Sequence, residues 1–97
     1  MKRVIFSVRA ERDLEQIGDY IAKDNLHRAV SFIRELRERC QHIGQFPESY
    51  RRFSELGPDA RMMPHGNYVV LYRVLDKYVS IERILHGARD ILALITE

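Results

Sequence analysis

The sequence contains few of the residues that would mark a disulfide scaffold, a membrane protein or a secreted protein. Cys40 is the only cysteine among 97 residues, so no internal disulfide can form. Because it falls on the apolar stripe of a predicted helix, we expect a buried, inert thiol. No apolar run approaches the roughly 20 residues of a membrane-spanning helix. Charge returns at Arg9 before any long apolar stretch, which argues against a signal peptide. The sequence therefore predicts one cytoplasmic domain over residues 1–97.

The balance of charge is also unremarkable for a soluble domain. Sixteen Lys and Arg face fourteen Asp and Glu, a net charge of +2, and the basic residues are spread along the chain. Proteins that bind nucleic acid through its phosphates usually show a basic stripe. The sequence shows no such stripe, which disfavours a direct DNA-binding module.

Several common catalytic motifs are missing. The four histidines are far apart and lack both a cysteine partner and H-x3-H spacing, so we predict no metal site and no cofactor. There is no G-x-S-x-G, P-loop or G-x-G-x-x-G motif. Metal-independent phosphodiester cleavage stays possible, because it needs only a base, an acid and cations for the developing charge. The groups available for it are Arg61, Arg73, Arg83, His86 and Arg89. Of these, Arg61, Arg73 and His86 are expected to lie on or near one face of the sheet. An alternative is structural: Arg73 pairs with Glu82 across a hairpin, and His86 ends a strand.

Residues 67–90 form the clearest pattern, two strands rich in Val, Ile, Tyr and Leu joined by a two-residue turn at Asp76-Lys77. This register places Tyr72 opposite Ile81, Val70 opposite Arg83 and Tyr68 opposite Leu85. One face would then be almost wholly apolar. The other face would be mixed and covered in part by a partner; it would carry Asn67, Val69, Leu71, Arg73, Ser80, Glu82, Ile84 and His86.

The remaining chain predicts two helices and two short strands. An opening strand at Arg3–Ser7 precedes a helix at Val8–Asp24 with Ser7 as N-cap, and Asn25 caps a second helix at Leu26–Gln45. The first helix has an acidic outer face of Glu11, Asp13, Glu15 and Asp19. A strand at Ala60–Met63 is ended by Pro64, and Ala88–Thr96 forms a short helix or edge segment. The prediction is an α+β fold: an N-terminal strand, an antiparallel helical hairpin, a three-stranded antiparallel sheet and a short C-terminal helix or tail.

Five segments in this order resemble a known family. They are AERDLEQIGDYIA (10–22), FPES (46–49), ELGP (55–58), NYVVLYRV (67–74) and RILHGARD (83–90). Together they resemble the ParE branch of the ParE/RelE toxin superfamily, the toxins of type II toxin–antitoxin modules. The resemblance implies a helical hairpin on a curved antiparallel sheet. RelE-like members are ribosome-dependent messenger RNA endonucleases, whereas ParE-like members trap DNA gyrase.

The positions that distinguish the two branches are aliphatic here. Nuclease members tend to carry Arg after the Tyr that opens the third strand, where this chain has Val69. They tend to carry Lys on the preceding strand, where Ala60 and Met62 stand, and cationic and phenolic groups near the end, where Ala88 and Leu92 stand. Aliphatic side chains neither stabilise a phosphorane nor move a proton.

The resemblance therefore implies a toxin that inhibits DNA gyrase by binding, with target contacts at Arg61, Arg73, Arg83, His86 and Arg89. Two alternatives stay open. One is a RelE-like ribosome-dependent endonuclease in which Arg61 and Arg83 steady the phosphate and His86 is the acid or base. The other is an inactive remnant or a pure interaction module.

A toxin of either branch implies a cognate antitoxin, ParD-like or similar. We expect an acidic, amphipathic antitoxin segment that is disordered when free and folds on binding. The apolar residues expected to need cover are Val69, Leu71, Ile84, Ile91, Leu92 and Ile95. DNA would then be bound only through the antitoxin.

Overall fold

The computed structural model describes residues 1–87 and Ile91. The element order is β1 (Arg3–Phe6), α1 (Val8–Ala22), α2 (Leu26–Ile43), a 3-10 turn (Ser54–Leu56), β2 (Ala60–His65), β3 (Tyr68–Val74) and β4 (Tyr78–His86). These strands form one sheet in the order β1-β4-β3-β2. β1 runs parallel to β4, and the other neighbours are antiparallel. The predicted α+β fold is confirmed. The predicted C-terminal segment, apart from Ile91, lies outside the described residues.

Both helices begin at the predicted capping residues. The Ser7 hydroxyl accepts a hydrogen bond from the Ala10 amide at 3.0 Å, and the Asn25 side chain accepts one from the Arg28 amide at 3.0 Å. Each cap satisfies a backbone donor that the first turn leaves without a partner. Each helix ends two residues earlier than predicted.

The core lies between the helical hairpin and one face of the sheet. Cys40 belongs to it and is fully buried, and this burial raises the pKa of its thiol to about 12. The prediction that this thiol is buried is confirmed. The other buried members are Ala10, Leu14, Ile17, Phe32, Leu36, Ile43, Met63, Val70, Tyr72, Val79, Ile81 and Ile84.

Strand β2 continues past the point where the sequence predicted its end. Pro64 lies inside the strand, opposite Val69, and the strand runs on to His65. Proline cannot donate to a ladder of hydrogen bonds, but β2 is an edge strand, where this is tolerated. The predicted end at Met63 is therefore wrong.

The hairpin of β3 and β4 begins as predicted. Tyr72 lies opposite Ile81 and Val74 opposite Val79. The turn at Asp76-Lys77 is closed by a hydrogen bond of 2.9 Å from the Leu75 amide to the Tyr78 carbonyl.

A β-bulge then changes the register in the outer half of the hairpin. The shift falls between Leu71 and Tyr72, so Val70 lies opposite Ile84 and Tyr68 opposite His86. The predicted pairs Val70–Arg83 and Tyr68–Leu85 are wrong. The extra residue on β4 is Glu82, which has no partner on β3. A bulge of one residue exchanges the faces of every residue beyond it.

This exchange corrects the predicted faces of four residues. Arg83, predicted on the almost wholly apolar face with Val70, lies opposite Leu71. Ile84 is 2% exposed and packs in the core beneath the helices instead of on the outer face. Leu85 moves the other way and joins the outer face. His86 places its ring edge-on to Tyr68, on the helix side.

The outer face of the sheet carries a second apolar cluster, which we call the outer cluster. Its buried members are Phe53, Ala60, Leu71 and Leu85, and its partly buried members are Leu56, Met62, Val69 and Ile91. The segment around Phe53 and Leu56 folds over this face, and Ile91 packs against it. Leu71 is 1% exposed, so the chain itself covers part of the face that was expected to need a partner.

Candidate functional site

An open groove of about 970 Å³ lies between α1, the start of α2 and the far end of the β3–β4 hairpin. Its floor is apolar, and its rim carries aromatic and charged groups. The lining residues are Asp13, Gln16, Ile17, Tyr20, Ile21, Arg28, Phe32, Gly66, Asn67, Tyr68, Arg83, Ile84, Leu85 and His86.

The bulge on β4 forms one wall of this groove and depends on two side chains from the start of α1. Asp13 accepts a hydrogen bond from the Ile84 amide at 2.8 Å. The Ser7 hydroxyl donates to the Glu82 carbonyl at 2.8 Å. Backbone groups that the bulge leaves unpaired are thus satisfied by α1.

Asp13 also holds the guanidinium group of Arg83. Nε and Nη2 of Arg83 donate to the two carboxylate oxygens at 2.8 and 3.1 Å. This hydrogen bonding outweighs desolvation and raises the pKa of Arg83. Nη1 of Arg83 is buried and has no hydrogen-bond partner among the described residues. Asp13 is 8% exposed, so the predicted position on the outer face of the first helix is wrong.

A row of aromatic rings continues from this wall toward α2. His86 meets Tyr68 edge-on at 5.4 Å between ring centroids, Tyr68 lies 5.7 Å from Phe32, and Phe32 lies 5.4 Å from His65. Arg28 stands over the Phe32 ring at 5.1 Å. Burial lowers the pKa of His65, and the positive charge of Arg39 lowers it further.

The predicted target-binding residues do not converge. Arg83 and His86 line the groove, but Arg61 lies at the β2 edge, where it donates to the carbonyl oxygens of Glu48 and Tyr50 at 3.1 and 2.7 Å. Arg61 lies opposite the helix-facing Tyr72.

Arg73 lies on the opposite face of the sheet from Arg61. It lies opposite Ala60 of the outer cluster, and it pairs with Asp59 at 2.7 Å and with Glu82 at 3.8 Å. The cross-hairpin pair with Glu82 is confirmed, and the expected placement of Arg61, Arg73 and His86 on one face is wrong. Arg89 lies outside the described residues.

Sequence reasoning missed Tyr20 and Arg28, which lie on the rim of the groove. Tyr20 is 69% exposed, and an exposed aromatic residue beside an apolar floor was a usable signal. Asp13 gave a signal as well, because it follows Ala10 by three positions and precedes Leu14 on the apolar stripe.

The described residues hold no group of three or more His, Cys, Asp or Glu side chains that could bind a metal ion. Within residues 1–87 and Ile91, no helix is both long and apolar enough to cross a membrane.

Comparison with known proteins matches residues 4–91 to the family described as the ParE toxin of the type II toxin–antitoxin system parDE. The chain belongs to this family. It is 32% identical over 89 residues to a protein named Toxin RelE2 from Caulobacter vibrioides, and the match covers 92% of this chain and 99% of the relative. The chain is therefore a type II toxin–antitoxin toxin of the ParE/RelE superfamily.

Two solved structures share the fold. One is from the chromosomal ParDE toxin–antitoxin system of P. aeruginosa, with a TM-score of 0.74 and 23% identity over 89% of this chain and 96% of that chain. The other is from the toxin–antitoxin complex RelBE2 of Mycobacterium tuberculosis, with a TM-score of 0.58 and 26% identity over 88% of this chain and 96% of that chain.

Proposed function

We propose that this toxin inhibits DNA gyrase by binding to it and catalyses no reaction itself. The observation that carries the proposal is the composition of the outer cluster. Ala60, Met62 and Val69 lie together on the outer face around the buried Leu71. A nuclease of the superfamily would need cations at the first three of these positions to stabilise the developing phosphate charge.

Three of the candidate catalytic cations, Arg61, Arg73 and Arg83, support the same proposal because they are held in separate parts of the molecule. Arg73 is held by two carboxylates, Arg83 by Asp13, and Arg61 by two backbone carbonyls. A catalytic cation must be aimed at the reacting phosphate, whereas these three groups point to three separate places.

The groove is the surface that we assign to the gyrase contact. Tyr20, Arg28 and Tyr68 surround its apolar floor, and Arg83 and His86 form its inner wall. Tyr and Arg are enriched among the few residues that dominate the binding energy of protein interfaces. This proposal keeps Arg83 and His86 as target-binding residues and adds Tyr20 and Arg28.

A cognate antitoxin is the second partner, as expected for a toxin of this superfamily. We propose that its amphipathic segment docks beside Val69 and Ile91, the half-buried rim of the outer cluster. Leu71 and Ile84 are buried within this chain and offer little surface. Leu92 and Ile95, also expected at this contact, lie outside the described residues. Operator DNA would be bound by the antitoxin, and both proteins would act in the cytoplasm.

A supercoiling assay tests the gyrase proposal. Purified toxin in excess over gyrase should block supercoiling of relaxed plasmid, and addition of the cognate antitoxin should restore it. Unaffected supercoiling at excess toxin would refute the proposal.

The competing function is ribosome-dependent cleavage of messenger RNA. It is favoured by the 32% identical relative named Toxin RelE2. On this alternative, programmed ribosomes incubated with the toxin would yield messages cut in the ribosomal A site, as detected by primer extension.

A further inference from the structure

Four arginines from three separate segments lie at the β2 edge of the sheet: Arg39, Arg52 and Arg61 on the helix-facing side, and Arg51 beside Met62 on the outer side. Arg52 lies directly opposite Arg61 in an isolated bridge. Both Arg39 and Arg61 bind Tyr50, the first to its hydroxyl at 3.2 Å and the second to its carbonyl at 2.7 Å. Arg51 donates to the sulfur of Met62 at 3.2 Å. We call Arg39, Arg51, Arg52 and Arg61 the basic edge.

None of the arginines of the basic edge forms an ion pair within the described part of the chain. The ion pairs formed there use Arg28, Arg37, Arg73 and Arg83. The connecting segment, residues 46–53, contributes one carboxylate, Glu48. Like charges directly opposite on paired strands, such as Arg52 and Arg61, are unfavourable. A bound anion would relieve this repulsion.

Residues 51–53 already occupy the outer edge of β2 at Ala60 and Met62. The Met62 amide donates to the Arg51 carbonyl at 3.1 Å, and the Phe53 amide donates to the Ala60 carbonyl at 2.8 Å. A partner strand therefore cannot pair with β2 at Ala60 and Met62, which disfavours the usual way in which an extended protein segment joins an edge.

We propose that the basic edge binds the phosphodiester backbone of a nucleic acid. Guanidinium groups suit phosphates, because each group can donate two parallel hydrogen bonds to one phosphate. Phe46 stands at the start of the same segment and is 66% exposed. Exposed aromatic rings are the groups on which unpaired bases stack.

The basic edge gives the toxin a nucleic-acid contact of its own, beyond the one expected of the antitoxin. The even spread of charge along the sequence concealed it, because α2, residues 50–52 and β2 each supply only one or two of the arginines. The fold brings them together.

Fluorescence anisotropy with purified toxin and labelled DNA, as a short duplex and as a single strand of the same sequence, tests this proposal. The double variant Arg51→Gln/Arg52→Gln removes two exposed charges of the edge. The control Arg3→Gln/Arg12→Gln removes two exposed charges from β1 and α1, which lie away from β2. Circular dichroism and thermal unfolding of both variants establish that each is folded.

We expect the Arg51/Arg52 variant to lose roughly ten- to a hundredfold in DNA affinity and the control to lose much less. The slope of log affinity against log salt should fall by about 1.8 for a duplex, since each lost phosphate contact removes about 0.9. Equal losses in the two variants, or no DNA binding by the folded wild-type toxin, would overturn the proposal. A competition experiment can also overturn it. If poly-glutamate displaces the bound DNA at a lower concentration of negative charges than unlabelled DNA does, the basic edge is a site for an acidic protein.

Discussion

Asp13 on α1 holds both the Arg83 guanidinium group and the Ile84 backbone amide, each at 2.8 Å. One carboxylate thereby fixes the β-bulge that turns Ile84 into the core and forms the wall of the groove. The pair is largely buried, with side-chain exposures of 16% for Arg83 and 10% for Asp13. Stability and groove geometry therefore depend on the same contact.

Replacement of Asp13 by alanine should destabilise the fold by about 3–5 kcal/mol, because it leaves a buried cation and a buried amide without a partner. Chemical denaturation measures this loss. The matched control is Glu11→Ala, which breaks the exposed pair between Glu11 and Arg37 on the same helix at 2.6 Å. That change should cost less than about 1 kcal/mol. Equal costs for the two variants would show that the buried pair does not hold the bulge.

Two glycines of the helical hairpin, Gly18 inside α1 and Gly44 at the end of α2, should respond in opposite directions to alanine. A Cβ at Gly44 would stand 2.4 Å from the backbone oxygen of Lys2, whereas one at Gly18 would meet only the Ile33 side chain at 3.5 Å. Gly18→Ala should therefore raise stability by up to about 1 kcal/mol through helix propensity. Gly44→Ala should lower it by about 1–3 kcal/mol, since β1 must shift away. Thermal unfolding of both variants checks the two signs, and a stable Gly44→Ala variant would contradict the packing described for β1.

Acid should weaken the fold partly through His65. Burial, together with Arg39 and Arg28, lowers the pKa of His65 despite the opposing effect of Glu35. The unfolded chain then binds a proton near pH 6.5, where the folded chain does not. The folded state therefore keeps its full stability with respect to His65 above that pH. It loses stability as the pH falls below it, because protonation of His65 favours the unfolded chain. Between pH 7 and pH 5, wild type should lose more stability than His65→Asn. Identical slopes would show that His65 does not contribute to the acid sensitivity.

Substitution of Tyr20, the most exposed aromatic residue of the groove, tests whether the groove contacts gyrase. Tyr20→Ala should reduce gyrase inhibition about tenfold, the loss expected for a contact residue at an interface, without changing the unfolding midpoint. Leu26→Ala is the control, because Leu26 is equally exposed at 70% and does not line the groove. If both variants inhibit gyrase as well as wild type, the target contact lies elsewhere.

Local features were predictable from the sequence, whereas contacts between distant segments were not. Ser7 and Asn25 begin the helices as predicted because a cap depends only on the next three residues. The bulge depends on Asp13 and Ile84, 71 positions apart, so a simple alternation of faces along the hairpin could not reveal it. The same reason explains why Arg61 and Arg73, predicted to share a face, lie on opposite sides of the sheet.

The site was predicted in part for a related reason. The aliphatic residues at Ala60, Met62 and Val69 could be read directly, and the fold places all three on the outer face. The partners of Arg61, Arg73 and Arg83 could not be read in full, since Asp13 and the carbonyls of Glu48 and Tyr50 come from other elements. The basic edge could not be predicted from the sequence either, because its arginines come from α2, residues 51–52 and β2.

Titration of a fixed amount of gyrase with this toxin, with supercoiling as the readout, tests the central claim most directly. A toxin that acts by binding should give inhibition that rises with the ratio of toxin to gyrase and saturates once the binding sites are filled. Supercoiling that is unchanged at every ratio would contradict the account. If the toxin in addition cleaves the messages of programmed ribosomes that are present in large excess over it, it is a nuclease that acts with multiple turnover.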